Sequence, residues 1–255
     1  MALITEGLVS SLILTIVFFA IILISIMQAT EDRVPKIKSL AALDAIREAV
    51  GRAAEMGRPV FVGTDKGGLL DQYAPHTLAG LAICGYTAEI CAELGTPVYY
   101  LSQVAHVIPA ATLTLKEAYI KKGQVLDEDY AIRYVSESDQ AYATACLASF
   151  DREKPGACIY AGAWFGNAIK VPPGGRKVGA INIGAAARMY GFIFFVAACD
   201  YTLIGEELWA AGAYLSKDFK HIGALRGQDI LKFAVLLLLL FSLLLGQTFM
   251  GALNA

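Results

Sequence analysis

Two long apolar runs near opposite ends of the 255-residue chain constrain its fold more than any other feature. Residues 7–27 and 233–253 each contain 21 residues without a charged side chain. A helix of this length rises about 30 Å, the thickness of the hydrocarbon core of a bilayer. A cleaved signal peptide would have a basic start and a shorter apolar region, whereas the only charge before the first run is Glu6. The sequence therefore predicts a retained transmembrane helix over 7–27 and another over 233–253.

The basic residues fix the expected orientation. All 21 lysines and arginines lie between Arg33 and Lys232, so none precedes the first run and none follows the second. Under the positive-inside rule, the region between the runs is cytoplasmic and both termini face outward. We therefore expect a protein of the inner (cytoplasmic) membrane, with the lipid bilayer as a partner. The net charge of −2 argues against a nucleic-acid partner, which would require a basic surface.

A third hydrophobic stretch, residues 189–215, is ambiguous. Asp200, Glu206 and Glu207 interrupt it, and an acid at the centre of a bilayer costs about 2.5–3.5 kcal/mol. A span here would also place the basic residues that follow it on the outer side of the membrane. We therefore predict that residues 189–231 form hydrophobic helices that are interfacial or re-entrant. The alternative is a third span, in which the three acids become candidate functional groups.

Residues 33–188 alternate between helical and strand patterns. The helix–Gly–Pro–strand junction at 54–62 recurs at 92–100, 38 residues later. Glycine permits the left-handed turn that closes a helix, and proline is tolerated as the first residue of a strand. The alternation predicts a cytoplasmic α/β domain with a Rossmann-like, doubly wound, mostly parallel sheet covered by helices on both faces. The predicted helices cover 40–56, 76–94, 109–122 and 140–152. Polar side chains of residues 136–139 are predicted to cap the last of these helices. The predicted strands cover 59–63, 97–101, 130–135, 157–161 and 178–183.

Polar residues and glycines follow the predicted strands. Since ligands of open α/β sheets bind beyond the carboxyl ends of the strands, these residues form a candidate ligand-binding rim. The loop at 63–68, GTDKGG, resembles a phosphate cradle in composition only, because neither G-x-x-x-x-G-K-[ST] nor G-x-G-x-x-G occurs; a tight turn is the alternative. The cofactor is unknown at this point. The candidate ligand-binding residues are Thr64, Asp65, Lys66, Gly67, Ser102, Gln103, Ser136, Gly162 and Asn167.

Two aromatic residues, Trp164 and Phe165, lie in the loop after the fourth predicted strand. Their rings could stack on a ligand at the rim, because aromatic faces are large and flat. The alternative is burial against a neighbouring subunit or the membrane.

Metal-binding and catalytic motifs do not occur in the sequence. His76, His106 and His221 are far apart, so no pair has metal-ligand spacing. Ser102 lies near His106, but no G-x-S-x-G elbow surrounds it. The five cysteines form no C-x-x-C pair and stand in apolar segments, which is typical of reduced, buried thiols. We assign no catalytic residue and no metal, and we favour a function other than catalysis.

Two segments carry a resemblance to a known family. They are residues 47–60, REAVGRAAEMGRPV, and residues 203–215, LIGEELWAAGAYL. The chain resembles an uncharacterised family of prokaryotic membrane proteins that bear a domain of unknown function. The resemblance implies a membrane location and transfers no activity to any residue.

Three functions are compatible with these observations. The first is a structural or accessory subunit of an oligomeric membrane assembly, whose partners are copies of itself or other subunits. Small-residue surfaces at 184–187 and 210–213 favour it, because they permit close packing. The second is a small-ligand or nucleotide-binding domain, with or without enzymatic activity, whose site is the strand rim. The third is a transport component that uses Asp200, Glu206 and Glu207 within the membrane.

Overall fold

A computed structural model describes residues 9–29, 41–216 and 219–245. The chain divides into two compact units, one formed by residues 1–37 with 217–255 and the other by residues 38–216. The elements in chain order are α1 (Val9–Gln28), α2 (Ala41–Glu55), β1 (Val60–Asp65), α3 (Ala74–Leu94), β2 (Val98–Ser102), α4 (Ile108–Lys121), α5 (Glu128–Ala131), β3 (Ile132–Tyr134), α6 (Asp139–Glu153), β4 (Ala157–Ala163), α7 (Asn167–Lys170), α8 (Pro172–Lys177), β5 (Ile181–Ala186), α9 (Met189–Ala198), β6 (Tyr201–Ile204), α10 (Glu206–Ser216) and α11 (Phe219–Leu245).

The first unit is a pair of helices, α1 and α11. A Cβ on Gly223 would lie 3.0 Å from the carbonyl oxygen of Ser25, and one on Gly227 would lie 3.1 Å from the Cα of Ile22. Gly223 lies against Ser25, and the later Gly227 lies against the earlier Ile22, so the two helices are antiparallel. The two glycines, four residues apart, let the helix backbones approach closely.

Two helices of the described residues are long and apolar enough to cross a membrane. They are Ser11–Gln28 of α1, most of whose residues are exposed, and α3, which is mostly buried in the second unit. α11 covers residues 219–245, and residues 246–253 of the predicted C-terminal span lie outside the described part of the chain. Residues 7 and 8 of the predicted N-terminal span also lie outside it.

The second unit is an α/β structure with a single sheet. Its six strands are all parallel and follow the order β3-β2-β1-β4-β5-β6. Helices α2, α3, α4 and α10 share one buried core with one face of the sheet. Helices α6 and α9, with residues at the α7–α8 junction, share the core on the other face. The predicted parallel α/β architecture is confirmed at this level.

The repeated junction forms as its sequence predicts. Gly57 and Gly95 have φ values of +63° and +68°, and the carbonyl of Cys91 accepts a hydrogen bond from the Gly95 N–H. Both glycines close a helix in the left-handed conformation, and the following proline precedes a buried strand. The predicted helices over 40–56, 76–94, 109–122 and 140–152 match α2, α3, α4 and α6 within two residues at each end.

Two predicted strands and one predicted cap are partly wrong. The strand predicted over 130–135 shortens to 132–134, because Asp127 accepts a hydrogen bond from the Tyr130 N–H and starts the short helix α5. The strand predicted over 178–183 moves to 181–186, because the segment from Pro172 is helical and Gly179 (φ +80°) turns the chain after it. Ser138 is the N-cap of α6 without a side-chain bond to the helix.

Residues 189–215 form two helices with a strand between them. The sequence indicated only helices here, but residues 201–204 form β6, which pairs with β5 at the edge of the sheet. α9, β6 and α10 belong to the same compact unit as the rest of the sheet. That α/β unit therefore extends to Ser216, beyond the predicted boundary at residue 188.

Candidate functional site

The strand order reverses between β1 and β4, and the polar residues at their carboxyl ends meet there. The Nδ2 of Asn167 donates to Oδ1 of Asp65 (2.8 Å) and to Oε1 of Gln103 (3.4 Å). The backbone N–H of Phe165 donates to the other Asp65 oxygen at 3.2 Å. Three of the nine residues predicted for the rim thus form one hydrogen-bonded cluster: Asp65 at the end of β1, Gln103 directly after β2, and Asn167 at the start of α7. Its position matches the place where open α/β sheets bind ligands.

Asp65 is unusual in both its backbone and its side chain. Its φ is +58°, in the left-handed region that non-glycine residues seldom adopt. Only 1% of its surface is exposed. Burial raises the pKa of Asp65 to about 7, although hydrogen bonds from Asn167 and Phe165 oppose the shift. The carboxyl group can therefore hold or release a proton near neutral pH.

Asn167 has an unused acceptor. It is 1% exposed, and its Oδ1 has no hydrogen-bond partner among the residues that the structure describes. The buried Asn182 differs, because its Oδ1 accepts from the Tyr160 hydroxyl (3.2 Å) and its Nδ2 donates to the carbonyl of Pro172 (3.1 Å). A buried acceptor without a partner is costly, and a donor from a water or a ligand would relieve that cost.

The cluster extends to the loop after β3. The Nε2 of Gln103 donates to Oδ1 of Asp139 at 2.5 Å and to the carbonyl of Glu137 at 2.8 Å. The ammonium of Lys66 lies 3.3 Å from Oδ1 of Asp139. Side chains therefore tie together the loops that follow β1, β2, β3 and β4.

The glycine loop after β1 is a closed turn. The N–H of Gly68 donates to Oδ2 of Asp71 (3.1 Å), and the N–H of Leu69 donates to Nε2 of His106 (3.1 Å). A Cβ at Gly67 would overlap Thr77 and Ala163. Since side chains of the protein already occupy these two amides, the loop does not present them to a phosphate. The tight-turn alternative fits this segment.

The remaining predicted rim residues have local roles. The Thr64 hydroxyl lies 2.6 Å from the Tyr100 hydroxyl, the Ser102 hydroxyl donates to the carbonyl of Val104 (2.9 Å), and the Ser136 hydroxyl accepts from the Ser138 N–H (3.2 Å). Gly162 has a φ of +131° and passes close to Thr64. These four residues shape the rim without joining the cluster.

An arginine beside the cluster was missed by the sequence analysis. Arg188, just beyond β5, stacks its guanidinium on the rings of Tyr73 (4.9 Å) and Phe165 (5.3 Å). Burial, followed by the positive charge of Arg188, lowers the pKa of His76 nearby. The only signal in the sequence was the position of Arg188 after a strand, at the same edge as the other rim loops.

The two predicted stacking residues behave differently. Trp164 is fully buried in the core of its own unit, and its indole N–H donates to the carbonyl of Gly63 at 3.3 Å. Phe165 is half-buried and contacts Tyr73 edge-on. Of the two rings, Phe165 is the one at the rim.

The acids of the third hydrophobic stretch take part in the α/β unit. Oδ2 of Asp200 accepts from the N–H of Asn182 (2.8 Å), and Oε2 of Glu207 accepts from the N–H of Ile204 (2.9 Å). Glu206 lies in the first turn of α10, where a negative charge is favourable. The hydrogen bonds of Asp200 and Glu207 stabilise the start of β5 and the end of β6.

The thiols are buried and unpaired, as predicted. Cys84, Cys91, Cys146, Cys158 and Cys199 are all free. Burial raises the pKa of Cys84 and of Cys158 to about 12, so both remain protonated at neutral pH. The described residues contain no group of three or more His, Cys, Asp or Glu side chains that could hold a metal ion.

Comparison with known proteins identifies one family. The chain matches the family described as a domain of unknown function (DUF6754) over residues 1–254. No curated protein and no solved structure matches it. Because the match covers nearly the whole sequence, the chain belongs to the DUF6754 family.

Proposed function

We propose that this chain is a membrane-anchored, Rossmann-like α/β domain that binds a small polar ligand at the rim between β1 and β4. The observation that carries the proposal is the buried pair of Asp65 and Asn167. One member is held in a left-handed backbone conformation, and the other has an acceptor without a partner. Strained residues concentrate at functional sites, and a buried polar atom without a partner requires an explanation such as a bound water or ligand.

The chemistry of the cluster indicates the kind of ligand. Oδ1 of Asn167 accepts hydrogen bonds only, so the ligand must present a hydroxyl or an N–H group to it. Asp65, with its pKa near 7, can accept from a ligand or donate to it. A phosphate as the main recognition element is disfavoured, because the amides of Gly68 and Leu69 already bind Asp71 and His106.

The anchor part of the proposal rests on the apolar helix pair and on the distribution of charge. Apart from the side that packs on α11, the apolar surface of α1 lies exposed, and α11 continues from a charged first half into an apolar second half. All lysines and arginines lie between the two apolar runs, which favours a cytoplasmic α/β unit in the inner membrane.

The other two functions rest on features that the α/β unit uses internally. A Cβ on Gly184 would overlap Phe195, and one on Gly212 would lie 3.0 Å from Ala79, so both small-residue surfaces are packed within the unit. Asp200 and Glu207 accept backbone hydrogen bonds there. These contacts leave the oligomeric-subunit and transport functions without a specific supporting observation.

The test is a thermal-shift screen of the detergent-solubilised full chain against polyols, sugars, nucleosides, amino acids and amines. We expect one class to raise the melting temperature of the wild type and to have no effect on Asn167→Leu, which removes the free acceptor. The matched control is Ile120→Ala, at an exposed side chain of α4, which should respond like the wild type. If no class stabilises the wild type, or if Asn167→Leu responds equally, the rim is not the binding site. Should Asn167→Leu fold poorly, Asp65→Asn provides the same comparison.

A further inference from the structure

One cation at the carboxyl rim of the sheet has no acid partner. Arg188 is half-buried at the N-terminus of α9, and its guanidinium lies over the rings of Tyr73 (4.9 Å) and Phe165 (5.3 Å). Its N–H groups have no hydrogen-bond or ion-pair partner among residues 9–29, 41–216 and 219–245. Stacking occupies a face of the guanidinium plane and leaves the N–H groups at its edge available to an acceptor.

A second stacked arginine shows what is different about Arg188. Arg133 lies over the ring of Tyr130 (5.3 Å), and the Tyr130 hydroxyl donates to Oε2 of Glu153 (3.4 Å), so an acid lies beside that cation. The hydroxyl of Tyr73 instead accepts from the neutral amide of a glutamine side chain at 2.9 Å. The tyrosine under Arg188 therefore brings no acid to it.

The acid in the loop around Tyr73 is engaged elsewhere. Oδ2 of Asp71 accepts from the N–H of Gly68 (3.1 Å), and its Oδ1 accepts from the N–H of Tyr73 (2.8 Å). The pKa of His76 reports the balance of charge nearby: burial lowers it most, and the positive charge of Arg188 lowers it by more than the charge of Asp71 raises it. The local field is therefore positive and favours an anionic group.

Phe165 connects Arg188 to the cluster of the proposed site. Its ring faces the guanidinium, and its N–H donates to Oδ2 of Asp65 at 3.2 Å. The next residue, Gly166, is exposed, and a Cβ there would meet nothing within 4 Å. Asn167, with its unpartnered Oδ1, follows directly. An unpaired cation and an unpaired acceptor thus lie beside the same short segment, where the surface is open.

We propose that the rim ligand is a small hydroxy or amino carboxylic acid, whose carboxylate binds Arg188 and whose hydroxyl or ammonium group donates to Oδ1 of Asn167. The inference rests on the proposed function and names the class of ligand. A guanidinium matches a carboxylate with two parallel N–H···O bonds. A neutral polyol or a simple carboxylate would satisfy only one of the two groups, so the ligand must carry both.

The experiment compares matched small molecules in thermal-shift titrations of the detergent-solubilised full chain. Lactate and alanine carry both groups, β-hydroxybutyrate and β-alanine hold them one carbon further apart, lactamide lacks the carboxylate, and propionate lacks the donor. We expect at least one of the first four to stabilise the protein at a concentration about tenfold lower than lactamide or propionate requires, because hydrogen bonds between charged groups are the stronger ones. The hydroxy and amino members distinguish the two possible donors.

Arg188→Gln should abolish this preference for the carboxylate. The matched control is Arg133→Gln, which removes a stacked arginine from the edge strand β3 and should keep the preference. Should Arg188→Gln fold poorly, the wild type alone gives the answer for a hydroxy acid, since lactamide has the shape of lactate without its charge, and propionamide against propionate isolates the charge in the absence of the donor.

Two results would overturn the carboxylate ligand and leave the proposed function intact. They are a wild type stabilised by a neutral class but by none of the four acids, or an Arg188→Gln protein that keeps the preference, provided that Asn167→Leu loses the response in each case. A response to the acids that Asn167→Leu retains in full overturns both the two-point contact and the rim site.

Discussion

The two ends of the parallel sheet are built by different means. At the amino ends of β1 and β2, Gly57 and Gly95 turn the chain with φ values near +65°, and a Cβ on either glycine would meet nothing within 4 Å. At the carboxyl end of β1, Asp65 adopts a similar φ of +58° while fully buried. Glycine can adopt that conformation without strain, whereas an aspartate requires surroundings that hold it there.

The hydrogen-bond partners at the two ends also differ in how far away they lie along the chain. The amino-end turns are closed by hydrogen bonds within a few residues, such as the N–H of Gly95 with the carbonyl of Cys91. Asp65 is held by Phe165 and Asn167, about a hundred residues further along the chain. The comparison indicates that the amino end serves folding, while the carboxyl end keeps a strained, buried acid that folding alone does not require.

The largest expected effect is a pH dependence that originates at the carboxyl end. Because the pKa of Asp65 rises from 3.8 to about 7, the native state binds its proton more tightly than the unfolded chain does. Stability from this group is therefore full below about pH 4 and falls by roughly 4 kcal/mol as the pH rises through 7. Asp65→Asn, which tolerates the left-handed conformation, should abolish this fall. Fluorescence-monitored unfolding in detergent measures it, because Trp164 and Trp209 both lie in the α/β unit.

The control for this prediction is Asp139→Asn. Burial tends to raise the pKa of Asp139, but hydrogen bonds from Gln103 and Lys66 lower it overall. This carboxylate therefore contributes stability that is lost as the pH falls. Its removal should leave most of the fall between pH 4 and 8 in place, because burial is the main cause of the raised pKa of Asp65, but should reduce the fall slightly, because the negative charge of Asp139 also raises that pKa. An Asp65→Asn protein with the wild-type pH dependence would show that Asp65 is not the titrating group.

A second prediction compares one glycine from each end. Gly95→Ala should cost about 1 kcal/mol, since only the left-handed backbone resists it. Gly162→Ala should cost about 2–3 kcal/mol, because φ is +131° and the new Cβ would lie 3.1 Å from the carbonyl oxygen of Thr64. Denaturant unfolding of both variants measures the difference. Equal costs would mean that the carboxyl end is no more constrained than the amino end.

The smallest expected effect is at the amino end. The hydroxyl of Tyr119 donates to the carbonyl of Thr96 at 3.2 Å, beside a cavity of about 230 Å³ under the start of β2. Tyr119→Phe should lower the free energy of unfolding by about 1 kcal/mol and leave ligand-induced stabilisation unchanged. If this variant no longer responds to the ligand, the ligand binds at the amino end of the sheet, which would contradict the proposed site at the carboxyl end.

The features that sequence reasoning predicted are local ones. The repeated glycine and proline turns, and helices such as α2 and α3, follow from residues within one or two turns of each other. β6 was missed because its four residues stand inside an apolar run, and their strand conformation depends on pairing with β5. Asp65, Gln103 and Asn167 could be placed at one edge of the sheet, but their bonding required the strand order. The sequence around Arg188 does not predict its stacking on Tyr73 and Phe165, because both rings come from distant segments of the chain.

The most direct test of the ligand-binding rim uses the scarcity of asparagine. The chain has three, Asn167 at the rim, Asn182 in the core and Asn254 near the C-terminus, so ¹⁵N-asparagine labelling gives three side-chain amide pairs in an NMR spectrum. We would titrate the compound that stabilises the protein in the thermal screen. The account predicts a saturable shift of the Asn167 amide with Asn182 unmoved, since both of its side-chain atoms are already bonded. A stabilising compound that leaves Asn167 unmoved would contradict the account.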